Sequence, residues 1–600
     1  MTAPRGTGPR RGSTGARARR VSRASSRGHR PPAPRLLALL LALCLAFGGI
    51  LTRLVFLQVK DASAYQQLAE RQRLRTVDLP ATRGAIFDRN DEQLALSVPA
   101  KAVFADPTMI EDREETARTV AQVLGIDERT VLDRIDAPPA PRFVYLDRSV
   151  PLGTATALAD KKLPGIGFLD ESARMYPGGS LASQVIGYLG VDGSPLAGLE
   201  YQYQHQLAGT PGHAAVEADP TGVLIPQGAN VDVPPVQGEG LVLTLDRDIQ
   251  FLAQEALRDA VKANDATRGT IVVMEPGTGE ILAMASYPWF DLNHPQQAVE
   301  GSWQNRAVTD IYEPGSVNKV ITAAAALEGH VVDPRERITV PSQITVGGKS
   351  FKDPEPHGAE IMTLGDILAY SSNIGTIGVA ERVGKVRLSS YFQRFHMGTT
   401  SGLGFPGEAR GELRPLGQWD PLSLPTFAIG QGIAVTPLQM ASVYATVANG
   451  GVWVQPKLVK AFVEPDGTVQ PTPPSPTDRV IDAHTAKLLT QMLGYAVVAG
   501  TGTEAQIPNF WVAGKTGTAR KPKADGSGYE QHYMASFIGF TPATRPALVI
   551  AAVLDSPATV FGGIAAAPLF QKVGRAALAR LHVPPAPPPA LPPHARALPG

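Results

Sequence analysis

The sequence predicts a membrane-anchored α+β protein in which an elongated pedestal domain leads to a domain made of an antiparallel sheet flanked by helices. Three observations carry that expectation. They are an apolar run near the N-terminus, a Gly- and Pro-rich region of short mixed runs behind it, and a change from about residue 241 to longer strand-like and helix-like runs. With 600 residues, 43% apolar and 18% charged, the chain has material for three or four domains with real cores.

The elements follow in order. Residues 1–35 hold ten arginines and no acidic residue; with so much Gly, Ser and Pro, they read as a disordered cytoplasmic tail. The whole chain has a nominal charge of +1, so residues 36–600 carry −9, which argues against nucleic acid as a partner of the body. Residues 36–59 read as a transmembrane helix. Leu36 to Leu51 is free of charge, and the run resumes after Thr52-Arg53 as Leu54 to Val59, long enough to span a bilayer with Arg53 snorkelling near its end. Arginines ahead of the span place the N-terminus in the cytoplasm and the body outside. A cleaved signal peptide would need a shorter charged region and a small-x-small site directly after the apolar run. A lipid anchor at Cys44 is disfavoured by the bulky Leu43 before it. Cys44 is the only cysteine, so no intramolecular disulfide or cysteine-based metal site can form. There is no His-Glu-x-x-His string either, and no cofactor or metal is expected.

Residues 60–240 read as the pedestal. Its distinctive strings are Arg83-Gly84 to Arg89-Asn90, Arg174-Met175-Tyr176-Pro177 and Gly198-Leu199-Glu200, whose charges suit buried ion pairs. From there, Leu241 to Leu245 reads as a strand and Asp248 to Val261 as a helix. Gly269 to Ala285 reads as a hairpin turning at Glu275 to Gly279. Phe510 to Ala513, Met534 to Phe540 and Ala547 to Leu554 read as strands. Ala565 to Leu581 reads as a closing helix with Pro568 in its first turn. This domain is expected over 241–582, with a disordered Pro- and Ala-rich tail over 583–600.

Three strings inside that domain carry the chemistry: Ser316-Val317-Asn318-Lys319, Ser371-Ser372-Asn373 and Lys515-Thr516-Gly517. Singly each has an ordinary reading as a helix cap with a solvated lysine, a loop and a tight turn. In this order they resemble the set of penicillin-binding proteins and class A β-lactamases, an active-site serine superfamily. A serine hydroxyl is a poor nucleophile until a base takes its proton. The alanine-rich run from Val320 predicts a helix starting near Ser316, and i,i+3 spacing puts Lys319 beside its hydroxyl. Burial and the helix dipole would lower the lysine's pKa. Ser371 reads as a proton relay and Asn373 as a donor to a substrate amide, both on a loop after the helical Leu364 to Tyr370. Lys515, Thr516, Gly517 and Thr518 suit a substrate carboxylate.

Over roughly residues 36–580 the chain resembles a class B penicillin-binding protein, a monofunctional peptidoglycan D,D-transpeptidase. The likeness also rests on Arg83-Gly84 to Asp88-Arg89, Gly198 to Glu200, Gly430 to Pro437 and Met534 to Phe540. The stretch around Phe351-Lys352-Asp353 and Met534 to Phe540 lean toward the cell-division (septal) branch. The resemblance implies a pedestal of the penicillin-binding protein dimerisation type and a serine penicillin-recognising transpeptidase domain. It further implies that Ser316 attacks a stem peptide ending in D-Ala-D-Ala, that Lys319 takes its proton and that Ser371 protonates the leaving D-alanine. The backbone N–H groups of Ser316 and Thr518 would form the oxyanion hole, while Lys515, Thr516 and Thr518 hold the carboxylate. β-Lactams would acylate Ser316. Implied partners are a membrane glycosyltransferase of the shape, elongation, division and sporulation family and other divisome proteins.

Two alternatives stand beside this. A β-lactamase or D,D-carboxypeptidase would pass the acyl group to water. A class A lactamase needs an acid to activate that water, but Glu408 and Glu412 are not followed at four residues by an asparagine. A non-catalytic β-lactam sensor or division scaffold would need a cytoplasmic signalling domain or would tolerate loss of Ser316, Lys319 or Lys515, all of which are present.

Overall fold

The computed structural model describes residues 33–60, 74–217, 231–523, 525, 527–559 and 561–589. The chain forms two compact units, 1–77 with 214–231 and 78–213 with 232–600. The expected disorder of residues 1–32 and 590–600 lies outside the described residues.

In the first unit, helix α1 (Ala33–Val55) continues through a π-turn at Phe56–Lys60. Within Pro34–Lys60 the most apolar 18-residue stretch has a mean hydropathy of 2.3 and no buried side chain, and the helix is long and apolar enough to cross a membrane.

The second unit begins with β1 (Ile86–Phe87), β2 (Gln93–Ala105), β3 (Val144–Pro151) and β4 (Ile166–Met175). The long strand β2 pairs antiparallel with β1, β3 and β4. Above them Glu200, fully buried, receives Arg83 Nε at 2.6 Å and Arg174 Nε at 2.8 Å. Two guanidinium groups thus surround one carboxylate, as the three pedestal strings anticipated.

The catalytic part opens with β5 (Gly240–Leu243), α2 (Arg247–Ala263), β6 (Arg268–Met274) and β7 (Ile281–Tyr287). Asp246 caps α2 by accepting from Asp248 and Ile249. Next come α3 (Lys319–Glu328), α4 (Leu364–Ala369), α5 (Asn373–Val383), α6 (Pro437–Ala448), β8 (Val459–Val463), β9 (Val469–Pro471) and α7 (Ala483–Val498). The chain then forms β10 (Ala513–Pro522), β11 (Tyr529–Thr541), β12 (Leu548–Asp555), α8 (Gly562–Ala565) and α9 (Ala567–Arg580).

Strands β7-β6-β12-β11-β10 form one antiparallel five-stranded sheet with β10 at its edge. Period-two alternation sorts its residues between two cores. Ile271, Val273 and Phe537 pack with Leu257 of α2 and Phe570 of α9. Val272, Met274 and Ile538 pack with Val317 and Val320 at the start of α3. A second sheet runs β9-β8-β5-β1-β2-β3, with β4 also on β2; β1 lies parallel to β5 and joins the pedestal segment to the catalytic one. Short strands gave no signal of that pairing.

Three expectations are corrected. Phe510 to Val512 precede the strand, which instead runs from Ala513 through the Lys-Thr-Gly string to Pro522, because those residues bond β11 along their length. The closing helix is broken at Ala566 into α8 and α9, with Pro568 in the first turn of α9. Residues 583–589 are not a free tail: Ala586 accepts from Trp511 at 2.7 Å and donates to Asn509 at 3.0 Å.

Candidate active site

Ser316 sits in a 3₁₀ turn, Gly315–Asn318, that leads into α3. Gly315 has φ +56°, open to a residue without Cβ, and its N–H donates to Gly430 O at 3.0 Å. Asn318 Nδ2 donates to Phe427 O and Tyr444 OH to Val317 O, each at 2.9 Å. On the other side the turn lies against β10 at Gly517. A Cβ there would come 2.3 Å from Ser536 Oγ and 3.0 Å from Pro314 O. Ser316 is half-buried while its neighbours Gly315, Val317, Asn318 and Lys319 are buried, so its side chain is the turn's opening to solvent.

Lys319 is fully buried. The expectation that it lies beside the Ser316 hydroxyl is met only in part: both share one turn, but Nζ donates elsewhere. It bonds Ser371 O at 2.6 Å, Asn373 Oδ1 at 2.8 Å and Ser371 Oγ at 3.3 Å. A buried ammonium needs several acceptors, and the second string offers three where Ser316 offers one. Burial lowers the Lys319 pKa well below its ordinary value, the nearby Lys515 charge lowers it further, and Asp353 opposes both.

The second string hangs between two helices. Thr363 and Asp366 make a capping box at the start of α4. Ser371 then takes a left-handed conformation, φ +60°, strained for a non-glycine residue and typical of functional sites. Asn373 is not on the loop, as expected, but is the first residue of α5, which Ser372 caps. The carboxylate of Asp353 lies on this first turn. Oδ1 accepts from Asn373 N at 2.6 Å and Ile374 N at 2.9 Å, and Oδ2 from Ser372 Oγ at 2.7 Å. A negative charge is well placed there. His357 Nε2 lies 2.9 Å from Oδ2; burial pulls its pKa down, but the bonds to Asp353 and Gly358 O outweigh it and the net shift is upward. Asn373 Nδ2 donates to Lys352 O, and with Oδ1 taken by Lys319 one amide hydrogen remains.

The third string lies on edge strand β10, where Lys515, Thr516, Gly517 and Thr518 pair with Ile538, Phe537, Ser536 and Ala535. Lys515 is 1% exposed. Among the described residues its Nζ donates only to neutral oxygens: Thr516 Oγ1 at 3.1 Å, and Thr516 O and Thr501 Oγ1 at 3.3 Å. Burial lowers its pKa to about 7. Thr518 Oγ1 accepts from Gly562 N at 3.2 Å. The group can therefore offer a cation and hydroxyls to an incoming carboxylate.

All eight expected residues thus fall on the serine turn and the two strings around it. Sequence reading missed Asp353 and Thr501. The first was noted only as part of a likeness, and the second, in a Gly-Thr-Gly stretch after α7, carried no local signal. Among the described residues no group of three or more His, Cys, Asp and Glu is placed to hold a metal ion.

Residues 269–574 match the penicillin-binding protein transpeptidase domain, and residues 78–194 the penicillin-binding protein dimerisation domain. Penicillin-binding protein PbpB of Mycolicibacterium smegmatis is 36% identical over 90% of this chain and 89% of its own length. Peptidoglycan D,D-transpeptidase FtsI of Escherichia coli is 32% identical over 90% and 91%. The crystal structure of penicillin-binding protein 3 from Mycobacterium tuberculosis with aztreonam matches with a TM-score of 0.67 at 33% identity, covering 85% of this chain and 99% of that one.

Proposed function

The chain belongs to the penicillin-binding proteins that carry a dimerisation domain ahead of a transpeptidase domain, of the septal type, and on that premise we propose how its residues crosslink peptidoglycan. Its activity is serine-type D,D-transpeptidation, and β-lactams are its inhibitors. The observation that supports the residue roles best is the convergence on one buried lysine, Lys319, of a carbonyl, an amide oxygen and a hydroxyl from the second string.

With its pKa lowered, Lys319 is available as a neutral amine: two N–H groups hold Ser371 O and Asn373 Oδ1, and the lone pair accepts a hydroxyl proton. Ser316 Oγ attacks the carbonyl carbon of the penultimate D-alanine, and its proton passes to Lys319. The carbonyl oxygen, now an oxyanion, is held by the backbone N–H groups of Ser316 and Thr518. Lys319, through the Ser371 hydroxyl, gives a proton to the departing D-alanine nitrogen, leaving an ester on Ser316. An amine from a neighbouring stem peptide then attacks the ester carbonyl; the bond to Ser316 Oγ breaks, the amine's proton passes by way of Lys319 back to Oγ, and the new amide is the crosslink. Asn373 Nδ2 has one hydrogen for the donor's amide. Lys515, Thr516 and Thr518 receive the terminal carboxylate.

Helix α1 is the membrane anchor, with the N-terminus cytoplasmic and the catalytic domain outside; the ten arginines of residues 1–35, ahead of the apolar run, support that orientation. A membrane glycosyltransferase and division proteins are the partners this architecture fits, since the distinctive strings of residues 60–240 are charges suited to ion pairs and not a reactive set for glycan synthesis. Replacing Leu36 to Val59 by an unrelated span and following recruitment to the septum tests the anchor's part in that.

Intact-mass analysis of the detergent-solubilised chain after exposure to benzylpenicillin tests the chemistry. A stable one-to-one adduct absent from Ser316→Ala is the expected result. Rapid loss of the drug without an adduct would mean hydrolysis, and intact drug without an adduct would mean a binding scaffold.

A further inference from the structure

Thr501 lies outside all three strings, yet its hydroxyl is 2.7 Å from Thr516 Oγ1 and accepts from Lys515 Nζ at 3.3 Å. Among the described residues it is the only acceptor that Lys515 finds outside its own strand, the other two being Thr516 O and Thr516 Oγ1. Three N–H groups meet three neutral oxygens, and Thr501 supplies the third.

The backbone explains why that hydroxyl stays in place. Thr501 N–H donates to Ala369 O, the last residue of α4, at 3.1 Å. A Cβ on Gly500 would lie 2.2 Å from the same carbonyl, and one on Gly563 of α8 would lie 2.5 Å from Thr501 O. The turn is therefore clamped between α4 and α8 through its main chain. Thr501 itself is exposed, so no buried packing holds its side chain.

We propose that Thr501 is a positioning residue of the carboxylate subsite, orienting the Lys515 ammonium and the Thr516 hydroxyl for the ligand's carboxylate. The hydroxyl pair can carry only one hydrogen between its oxygens. With Thr501 as donor, Thr516 keeps its own hydrogen for the ligand, and the chain Thr501, Thr516, carboxylate polarises in one direction. The proposal rests on the reading that Lys515 and Thr516 receive a carboxylate.

Its test compares acylation of the full-length protein by benzylpenicillin and by the benzylpenicillin methyl ester, which lacks the carboxylate. Thr501→Val should lower the second-order acylation constant for the acid by roughly tenfold, the scale of one hydrogen bond to a charged group. The loss should lie in non-covalent affinity, with the limiting acylation rate unchanged. Thr501→Ser should restore it, and the ester should react equally with all three proteins. Equal losses for acid and ester, no loss for either, or no recovery in Thr501→Ser would each overturn the proposal. Absence of acylation in the unaltered protein would instead sink the functional reading beneath it.

Discussion

Lys319 and Asn373, 54 positions apart in the chain, meet at 2.8 Å between Nζ and Oδ1. That contact fixes the orientation of both groups: the lysine's hydrogens point into the second string, and the asparagine's remaining N–H is turned outward. Asn373→Asp would place a carboxylate on Nζ and raise the lysine's pKa. Acylation by benzylpenicillin should fall at neutral pH and recover as pH rises and the lysine loses its proton; stopped-flow rates against pH check this. Lys319→Met should lose the rate at every pH, by roughly 10²–10⁴-fold if the lysine is the base.

The two lysines set opposite limbs of one pH profile. Lys319 acts when neutral, so acylation should rise as pH passes up through its lowered pKa. Lys515 holds an anion when charged, so affinity for the carboxylate should decline as pH rises above about 7. Because the Lys515 charge also lowers the Lys319 pKa, the limbs are coupled. A bell-shaped profile is expected, and its alkaline limb should vanish with benzylpenicillin methyl ester. A profile identical for acid and ester would remove Lys515 from the carboxylate subsite.

Asp353→Asn keeps an acceptor near Asn373 N and Ile374 N but removes the charge from the first turn of α5. Asp353 raises the Lys319 pKa, so the acid limb of acylation should move to lower pH. The lost charge-assisted bonds should also destabilise the domain by about 1–3 kcal/mol. Thermal melting and the pH profile read these separately.

Gly517→Ala brings a Cβ to 2.3 Å from Ser536 Oγ and 3.0 Å from Pro314 O. The hydroxyl can rotate away but the carbonyl cannot, so the serine turn must shift. Overpacking of this kind costs about 1–3 kcal/mol, and acylation should fall further than melting temperature suggests. Adding Ser536→Ala should recover stability more than rate.

In the pedestal, Glu200 answers two arginines at 0% exposure. Glu200→Ala removes the one carboxylate that both buried cations share, leaving them only neutral acceptors, and should cost about 3–5 kcal/mol, seen as a lower denaturation midpoint. A midpoint unchanged from the unaltered protein would show that water or other groups compensate.

Local information in the sequence was enough for most of the elements. The span at Leu36 to Val59, the hairpin at Glu275 to Gly279, the helix beginning near Ser316 and the closing helix with Pro568 were all legible, because period, caps and turns act over a few residues. The edges of that reading failed where long-range pairing decides: β10 begins at Ala513 because β11 stands beside it, and Ala586 is held by Trp511 and Asn509.

The sequence by itself therefore determined which reactive groups are present: a serine, a lysine one helical turn away, and two further strings that carry hydroxyls, an amide and a second lysine. Only the tertiary structure decided that Lys319 is satisfied by the second string, that Asp353 steadies Asn373, and that Thr501 reaches Lys515. These contacts join segments 14 to 54 residues apart. The pKa of a lysine is set by water excluded and charges gathered around it, and both come from how distant segments pack.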